Sequence, residues 1–364
     1  MESFYKDKVI LVTGGTGSIG SEIVKKLLEL DPKAIRVLDN NETSLFELEQ
    51  ELNSDKIRTF MGDIRDKERL MRAFEGADVV FHAGALKHVP LCEYNPFDAV
   101  KTNVIGTQNV LNAALDQNVN KVIVISTDKA VNPINVMGAT KLLAERLTIS
   151  ANNYTGHKNT VFSCVRFGNV LDSRGSVVPL FKNQIKKGGP VTITSPDMTR
   201  FIMGIPQAVQ LILKAGEISK GNEIFILKMP ALNIVDLAEV MIEEFAPMYG
   251  YKPEDIEIQI VGKRIGEKTY EELMTEDETI NAVDQGKLYI INSQKNSNES
   301  AVCNPDLIEN EEMQIENGMV SAVNQLHILN SEDKDECSVY NSNLVQKLSK
   351  EEIKDIITDF CLKD

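Results

Sequence analysis

The order of apolar runs along the first 170 residues leaves few folds open. Short stretches dense in Val and Ile (KVILVT, IRVLD, IRTFMGD, ADVVFHAG, KVIVIST) take turns with longer amphipathic stretches (SEIVKKLLEL, SLFELEQEL, KERLMRAFEG, VIGTQNVLNAALDQN). The short runs show no regular polar alternation, so both of their faces are expected to be buried. That is the pattern of strands in a parallel sheet covered by helices on either side. An α/β fold with a doubly wound parallel sheet follows. After VFSCVRFGNVL the rhythm breaks among Gly and Pro (SRGSVVP, KKGGPVTITSP) and returns in EIFILKMPALNIVDLAEVMIEEF. We therefore expect the sheet domain over residues 1–170 with a returning segment at about 200–228. A smaller interleaved α/β domain is expected over 171–199 and 229–294. Residues 295–336, rich in Asn, Ser and Glu, read as a loop-rich acidic insertion. In 337–364, LSKEEIKDIITDF reads as a closing helix capped by Ser349.

Charge narrows the partners. The 364 residues carry a net charge of -15, of which -9 falls in residues 295–364, so the remainder is close to neutral. There is no Lys/Arg block suited to a phosphate backbone, and nucleic acid and anionic lipid are not expected partners. The N-terminus MESFYKDKVI has no basic and apolar leader, and no apolar run approaches the ~20 residues that span a bilayer. Five scattered cysteines form no CxxC pair, so neither a zinc site nor a disulfide framework is expected, and free thiols suit a cytoplasmic protein.

TGGTGSIG lies directly between a strand and a helix, and makes Gly14, Thr16, Gly17, Ser18, Ile19 and Gly20 candidate phosphate-binding residues. There, backbone N–H groups and the positive end of a helix dipole face a pyrophosphate, and side chains would block its approach. Asp39 ends the next strand, 19 residues after Gly20, where a carboxylate can accept both ribose hydroxyls of an adenosine. Asn40 and Asn41 follow it, with no Arg to neutralise a 2′-phosphate, which favours NAD over NADP. Asp63 and Ile64 follow the third strand, toward the adenine. Ala83, Gly84 and Ala85 follow the fourth and admit a close backbone approach, with Lys87 and His88 at the mouth of the sheet. No metal is expected, because His88 lacks a ligand partner at helical spacing.

Together TGGTGSIG, HAGALKHVP, KTNVIGT, STDKAVNPINVMGATK and VRFGNVLDSRGSVV resemble the extended short-chain dehydrogenase/reductases, enzymes with a Rossmann-type sheet. More narrowly they resemble the nucleotide-sugar 4,6-dehydratases acting on UDP-N-acetylglucosamine in surface-polysaccharide, bacillosamine, pseudaminic and legionaminic acid pathways. The likeness runs from Lys8 to about Ile291 and resumes at VYNSN. It departs at the YxxxK pair, which here is Met137 and Lys141. Methionine cannot move a proton, but a subset of these dehydratases shares it. The long members of that subset carry an N-terminal membrane region, which is not expected here.

The resemblance implies an internal redox cycle on NAD with loss of water between carbons 5 and 6. It implies Asp128 as the acid for the departing hydroxyl and Lys129 as the base at carbon 5. At neutral pH these roles call for Asp128 raised and Lys129 lowered in pKa. Thr127 is the candidate to receive the carbon 4 hydroxyl proton or relay it towards Lys141, which is itself a candidate catalytic residue and partner for the nicotinamide ribose; Asn103 is the candidate for support of the catalytic strand and cofactor. Arg200 and Arg264 are candidates for the diphosphate, Asn169 for the sugar, and the GSVVP backbone with Val178 for the nucleotide base; Lys87 is a candidate for both cofactor and substrate. GEKTYEEL also matches the family, without a role for Glu267 or Lys268. UDP or GDP, and retention or inversion at carbon 5, stay open. The alternatives are a UDP-sugar 4-epimerase, which needs no acid for a leaving hydroxyl, and a non-catalytic NAD-binding regulator. NPFDAVKTNVIGTQNVLNAALDQN and NVMGATKLLAERLTISANNY read as long helices with surplus apolar and small residues, which points to a homo-oligomer.

Overall fold

A computed structural model of the chain describes residues 1–171, 173–292 and 340–361; the acidic insertion expected at 295–336 lies outside them. The main sheet is built from β1 (Val9–Thr13), β2 (Ala34–Asp39), β3 (Ile57–Met61), β4 (Val79–His82), β5 (Lys121–Ile125) and β6 (Val161–Arg166). Outside it lie β7 (Asn169–Val170), β8 (Val191–Ile193) and β9 (Thr199–Met203). β10 (Glu223–Leu227) returns to it; β11 (Ala231–Asn233) and β12 (Ile258–Ile260) do not; β13 (Ala282–Asp284) and β14 (Leu288–Asn292) do. Its order is β13-β14-β10-β6-β5-β4-β1-β2-β3. Every pairing from β10 to β3 is parallel, and β14 and β13 add an antiparallel edge.

The chain runs outward from β1 to β2 and β3, then crosses back to place β4 on the other side of β1. The switch point of the sheet thus lies between β1 and β4, where sheets of this kind open a crevice at their carboxyl ends. Helices cover both faces. Used below are α1 (Ser18–Leu28), α2 (Glu42–Leu52), α3 (Lys67–Phe74), α4 (Thr107–Asp116), α5 (Val136–Ala151), α6 (Val177–Lys186), α7 (Ile205–Ile218), α8 (Ile234–Phe245) and α9 (Lys350–Cys361). On one face α1 packs on α7; on the other, α4 lies between α3 and α5. A three-stranded sheet (β11-β9-β7), a two-stranded one (β12-β8), α6, α8 and α9 form the smaller unit with its own apolar core.

Two domain boundaries differ from the sequence reading. The hairpin β13–β14, expected in the second domain, pairs with β10 and completes the main sheet. All five residues of β10 are buried, so that strand needs cover on its far edge, and Leu288 and Ile291 supply it. Conversely Arg200–Met203, expected to return to the first domain, lies in β9 of the small sheet. A third difference is local. The helix expected from NPFDAV through DQN is interrupted by a π-helical turn, Val100–Gly106, between Pro96–Ala99 and α4. The extra residue per turn belongs to a stretch that turns the Asn103 side chain inward, and such turns cluster at functional sites. The closing helix α9 forms as expected, with a reciprocal cap: Glu352 N–H donates to Ser349 Oγ at 3.3 Å, and Ser349 N–H to Glu352 Oε2 at 2.8 Å.

Candidate active site

The glycine turn leaves β1 with Gly14 at φ +66°, a left-handed conformation that favours glycine. A Cβ on Gly14 would lie 2.5 Å from the Gly84 Cα, so the turns after β1 and β4 touch through bare backbone. At Gly20 a Cβ would lie 2.2 Å from the Gly14 carbonyl oxygen, which explains how α1 packs so closely on the turn. Gly17 is the N-cap of α1, and Ser18, Ile19 and Gly20 form its first turn. Asp39 closes this side: its Oδ2 accepts from Thr16 N–H at 3.1 Å and its Oδ1 from Asn41 N–H at 3.1 Å. Asp63 is held by Arg65, whose Nε and Nη2 donate at 3.0 and 2.6 Å, and these bonds keep the Asp63 carboxyl below the usual range. Ile64 is buried, and Cβ atoms added at Gly84 or Gly106 would meet it.

Ala83, Gly84 and Ala85 lie on the opposite wall. Asn103 fixes the backbone just beyond them: its Oδ1 accepts from Leu86 N–H at 2.8 Å, while its amide donates to Leu86 O and Thr140 Oγ1, both at 3.0 Å. One buried amide thus ties the turn after β4 to α5. Lys87 donates to the Arg174 carbonyl at 2.7 Å, and burial with the Arg174 charge lowers its pKa. Arg174, which the sequence did not single out, donates through its backbone N–H to Ser18 Oγ at 3.0 Å and through its guanidinium to Thr16 O.

At the carboxyl end of β5 the chain turns into a short 3-10 segment, Asp128–Ala130. Thr127 Oγ1 donates to Asp128 Oδ1 at 2.8 Å, and Lys129 Nζ donates to the same oxygen at 2.9 Å. Asp128 is fully buried, and its Oδ2 has no hydrogen-bond partner. Lys129 Nζ also lies 3.4 Å from Asn169 Oδ1 and 3.4 Å from Glu271 Oε1. Here the expectation of a lowered lysine is corrected. Burial alone would lower the Lys129 pKa, but the carboxylates of Asp128 and Glu271 outweigh it and raise it. The two carboxylates thus favour the charged form of Lys129.

Lys141 lies one turn after Met137 on α5 and donates to the Ile125 carbonyl at 2.6 Å; burial lowers its pKa. Met137 faces Cys92 and Ala99 in a small apolar cluster. The second unit brings together residues scattered in sequence: Asn169, Val178, Arg200 and Arg264 line one cleft with Glu267. Lys129, Arg200, Arg264, Lys268 and Glu271 line the adjoining one. Arg200 donates to the Thr199, Lys268 and Thr269 carbonyls and lies 3.7 Å from Glu271. Glu271 is a second residue that sequence reasoning missed, after Arg174. Its only signal was the match of GEKTYEEL, because its burial depends on Ser342, which accepts from Glu271 N–H at 2.9 Å.

A mostly parallel sheet with its glycine turn at the switch point is a fold of the extended short-chain dehydrogenase/reductase type. The chain belongs to the polysaccharide biosynthesis protein family, whose model matches residues 10–293. It is 70% identical over 291 residues to a Methanocaldococcus jannaschii protein described as an uncharacterized membrane protein, covering 80% of this chain and 87% of that one. No helix of the described residues is long and apolar enough to cross a membrane. Identity to the capsular polysaccharide biosynthesis protein CapD of Staphylococcus aureus is 48% over 280 residues, 75% of this chain but 46% of CapD, so the chain matches about half of that relative's length. A UDP-glucose 4-epimerase of Rickettsia canadensis is 42% identical over 291 residues, 79% of this chain and 83% of that one. The X-ray structure of Pen from Bacillus thuringiensis, 42% identical, superposes with a TM-score of 0.84 over 98% of both chains.

Proposed function

We propose that this chain is a nucleotide-sugar 4,6-dehydratase converting UDP-N-acetylglucosamine, or its GDP counterpart, to the 4-keto-6-deoxy sugar. The observation that carries the reading is the 2.9 Å contact of Lys129 Nζ with Asp128 Oδ1, half-buried at the carboxyl end of β5, with Lys129 lining the arginine-containing cleft. An elimination needs a base and an acid side by side, and an epimerisation does not. The cofactor implied by the fold is NAD, and the residues fit it. Gly14 and Gly84 leave a bare-backbone crevice, and Asp39 stands at the end of β2 with no Arg behind it. Bound there, NAD supplies a hydride acceptor that is restored within each turnover.

The protein's own groups then handle the protons. Thr127 Oγ takes the proton of the carbon 4 hydroxyl and passes its own along the 2.8 Å bond to Asp128. Asp128 delivers that proton to the hydroxyl leaving carbon 6. Lys129 Nζ, as the free amine, removes the carbon 5 proton and later returns one. Met137 has no part in this chemistry. Lys141 meets the nicotinamide ribose, Arg200 and Arg264 meet the diphosphate, Asn169 the sugar, and Val178 with its neighbours the nucleotide base.

Incubation with UDP- and GDP-N-acetylglucosamine in deuterated water, followed by NMR, tests this. The expected product is a 4-keto-6-deoxy sugar with deuterium at carbon 5 and no net NADH. The likeness to the rickettsial protein favours one second reading, a 4-epimerase; inversion at carbon 4 with carbon 6 still hydroxylated would establish it instead.

A further inference from the structure

The dehydratase reading requires Lys129 as a free amine, yet its Nζ lies between two carboxylates that favour the ammonium, 2.9 Å from Asp128 Oδ1 and 3.4 Å from Glu271 Oε1. Asp128 cannot store the surplus proton, because it already carries the one that travels from carbon 4 to the leaving hydroxyl. The other carboxylate is free to do so. Glu271 is 3% exposed, its Oε1 is 3.4 Å from Lys129 Nζ, and its Oε2 is buried without a partner. A buried carboxyl group with an unsatisfied oxygen costs less neutral than charged.

The groups facing Glu271 decide its state. Lys129 and Asp128 face it from the turn after β5, Arg200 from β9 at 3.7 Å, and Lys268 from its own segment. The Lys268 Nζ is engaged by the Val131 carbonyl at 2.8 Å and by Glu272 at 3.1 Å. Burial raises the Glu271 pKa, while the Lys129, Arg200 and Lys268 cations pull it down. Of those cations, Arg200 also lines the cleft assigned to the substrate diphosphate.

Resting on the dehydratase reading, we propose that Glu271 is a positioning residue that takes the resting proton of Lys129 when the substrate diphosphate engages Arg200. The N–H bond at Nζ breaks, its electron pair stays on nitrogen, and the proton bonds to Glu271 Oε1. The diphosphate satisfies Arg200, so the guanidinium holds the Glu271 anion less strongly and the transfer becomes easier. The base at carbon 5 is thereby freed only in the loaded site, and the proton returns to Lys129 when product leaves.

The test is the pH dependence of turnover in Glu271→Gln, which keeps the shape but cannot accept a proton. With an internal acceptor, the wild-type kcat is expected to be flat between about pH 6.5 and 8.5. Without one, Lys129 must lose its proton to solvent. The kcat of Glu271→Gln should fall roughly 10²-fold or more at neutral pH and climb about tenfold per pH unit as the medium becomes alkaline. KM and NAD binding should stay near wild type, and Glu271→Asp should recover part of the rate. A melting curve and an NAD titration establish that the variant is folded. A Gln variant with the wild-type rate and profile, or one depressed equally at every pH, overturns the role of Glu271. Absence of any keto product from the wild-type enzyme instead overturns the dehydratase reading, and is seen before any variant is made.

Discussion

His82 is the residue whose state is fixed most firmly. It is buried at the end of β4, with Nδ1 2.6 Å from Thr13 Oγ1 and Nε2 3.1 Å from Thr107 Oγ1. Thr107 spends its own hydroxyl proton on the Asn103 carbonyl, so Nε2 carries the ring proton and Nδ1 accepts from Thr13. Burial, with the nearby Lys141 charge, pushes the imidazole pKa down to about 3. Below about pH 6.5 the unfolded chain binds a proton that the folded protein refuses. Stability due to this residue is therefore intact above that pH and declines as pH falls toward 3, by up to about 1.4 kcal/mol per unit. Urea melts of wild type and His82→Asn at pH 7 and pH 5 check it: the wild type should lose more between the two, and equal losses would exclude His82 as the source. At the same scale, Lys129→Ala and Asp128→Asn should each slow dehydration by roughly 10²–10⁴-fold, with carbon 5 deuterium incorporation falling most in Lys129→Ala. Met137→Ala should keep its chemistry and lose stability, by about 2–5 kcal/mol for a fully buried methionine. An inactive but folded Met137→Ala would return the epimerase and regulator readings to contention. The Asp-Lys pair, the glycine turn and Asp39 could be singled out because each sits in a local string whose neighbours carry its chemistry, whereas the arginines were singled out only through the family resemblance. Glu271 and Arg174 were not, because their positions depend on Ser342 and on the glycine turn, far away in sequence.

Among elements, the strands were readable because burial on both faces leaves unbroken Val/Ile runs, while the β13–β14 hairpin was hidden. Its three- and five-residue strands flank the turn at Gly286 and are too short to show which sheet they join, so the stretch was placed with the second domain. The π-turn escaped notice for another reason: periodicity near 3.6 does not mark one inserted residue. One joint between elements makes a sharp prediction. Arg166, at the end of β6, is 1% exposed and pairs with the fully buried Glu145 of α5 at 2.5 Å and with Glu278 of the short helix Glu276–Ile280 at 2.8 Å. This cluster pins α5, and with it Lys141, to the strand beside the reaction site. Removing one partner of a buried pair leaves an uncompensated charge, so Glu145→Gln should cost roughly 3–5 kcal/mol in urea denaturation. A loss under about 1 kcal/mol would mean that Glu278 alone satisfies the guanidinium.

For the whole molecule, the segment before α4 carries large exposed apolar side chains: Leu91, Tyr94 and Phe97 are 62%, 87% and 80% exposed, and Leu143 of α5 adds to them. Exposure of this kind marks interaction surfaces, and we expect it to join two copies of the chain. Sedimentation at micromolar concentration should find a species at least twice the 40.5 kDa chain mass, and Phe97→Glu should shift it toward monomer. A wild type sedimenting at 40.5 kDa alone would refute the pairing. The last described segment closes the molecule in a different way. Ser342 bonds to Glu271 and to Thr199, Leu348 N–H donates to Ala231 O, and Ile353 and Ile357 of α9 enter the core beside α8. Synthesis proceeds from the other end. The glycine turn, the Asp-Lys pair and both arginines will all have left the ribosome before the serine that seats Glu271 has been added. A nascent chain thus completes its glycine turn first and seats Glu271 only once Ser342 has been added, so on the proposed reading the proton-handling cluster assembles later than the cofactor crevice.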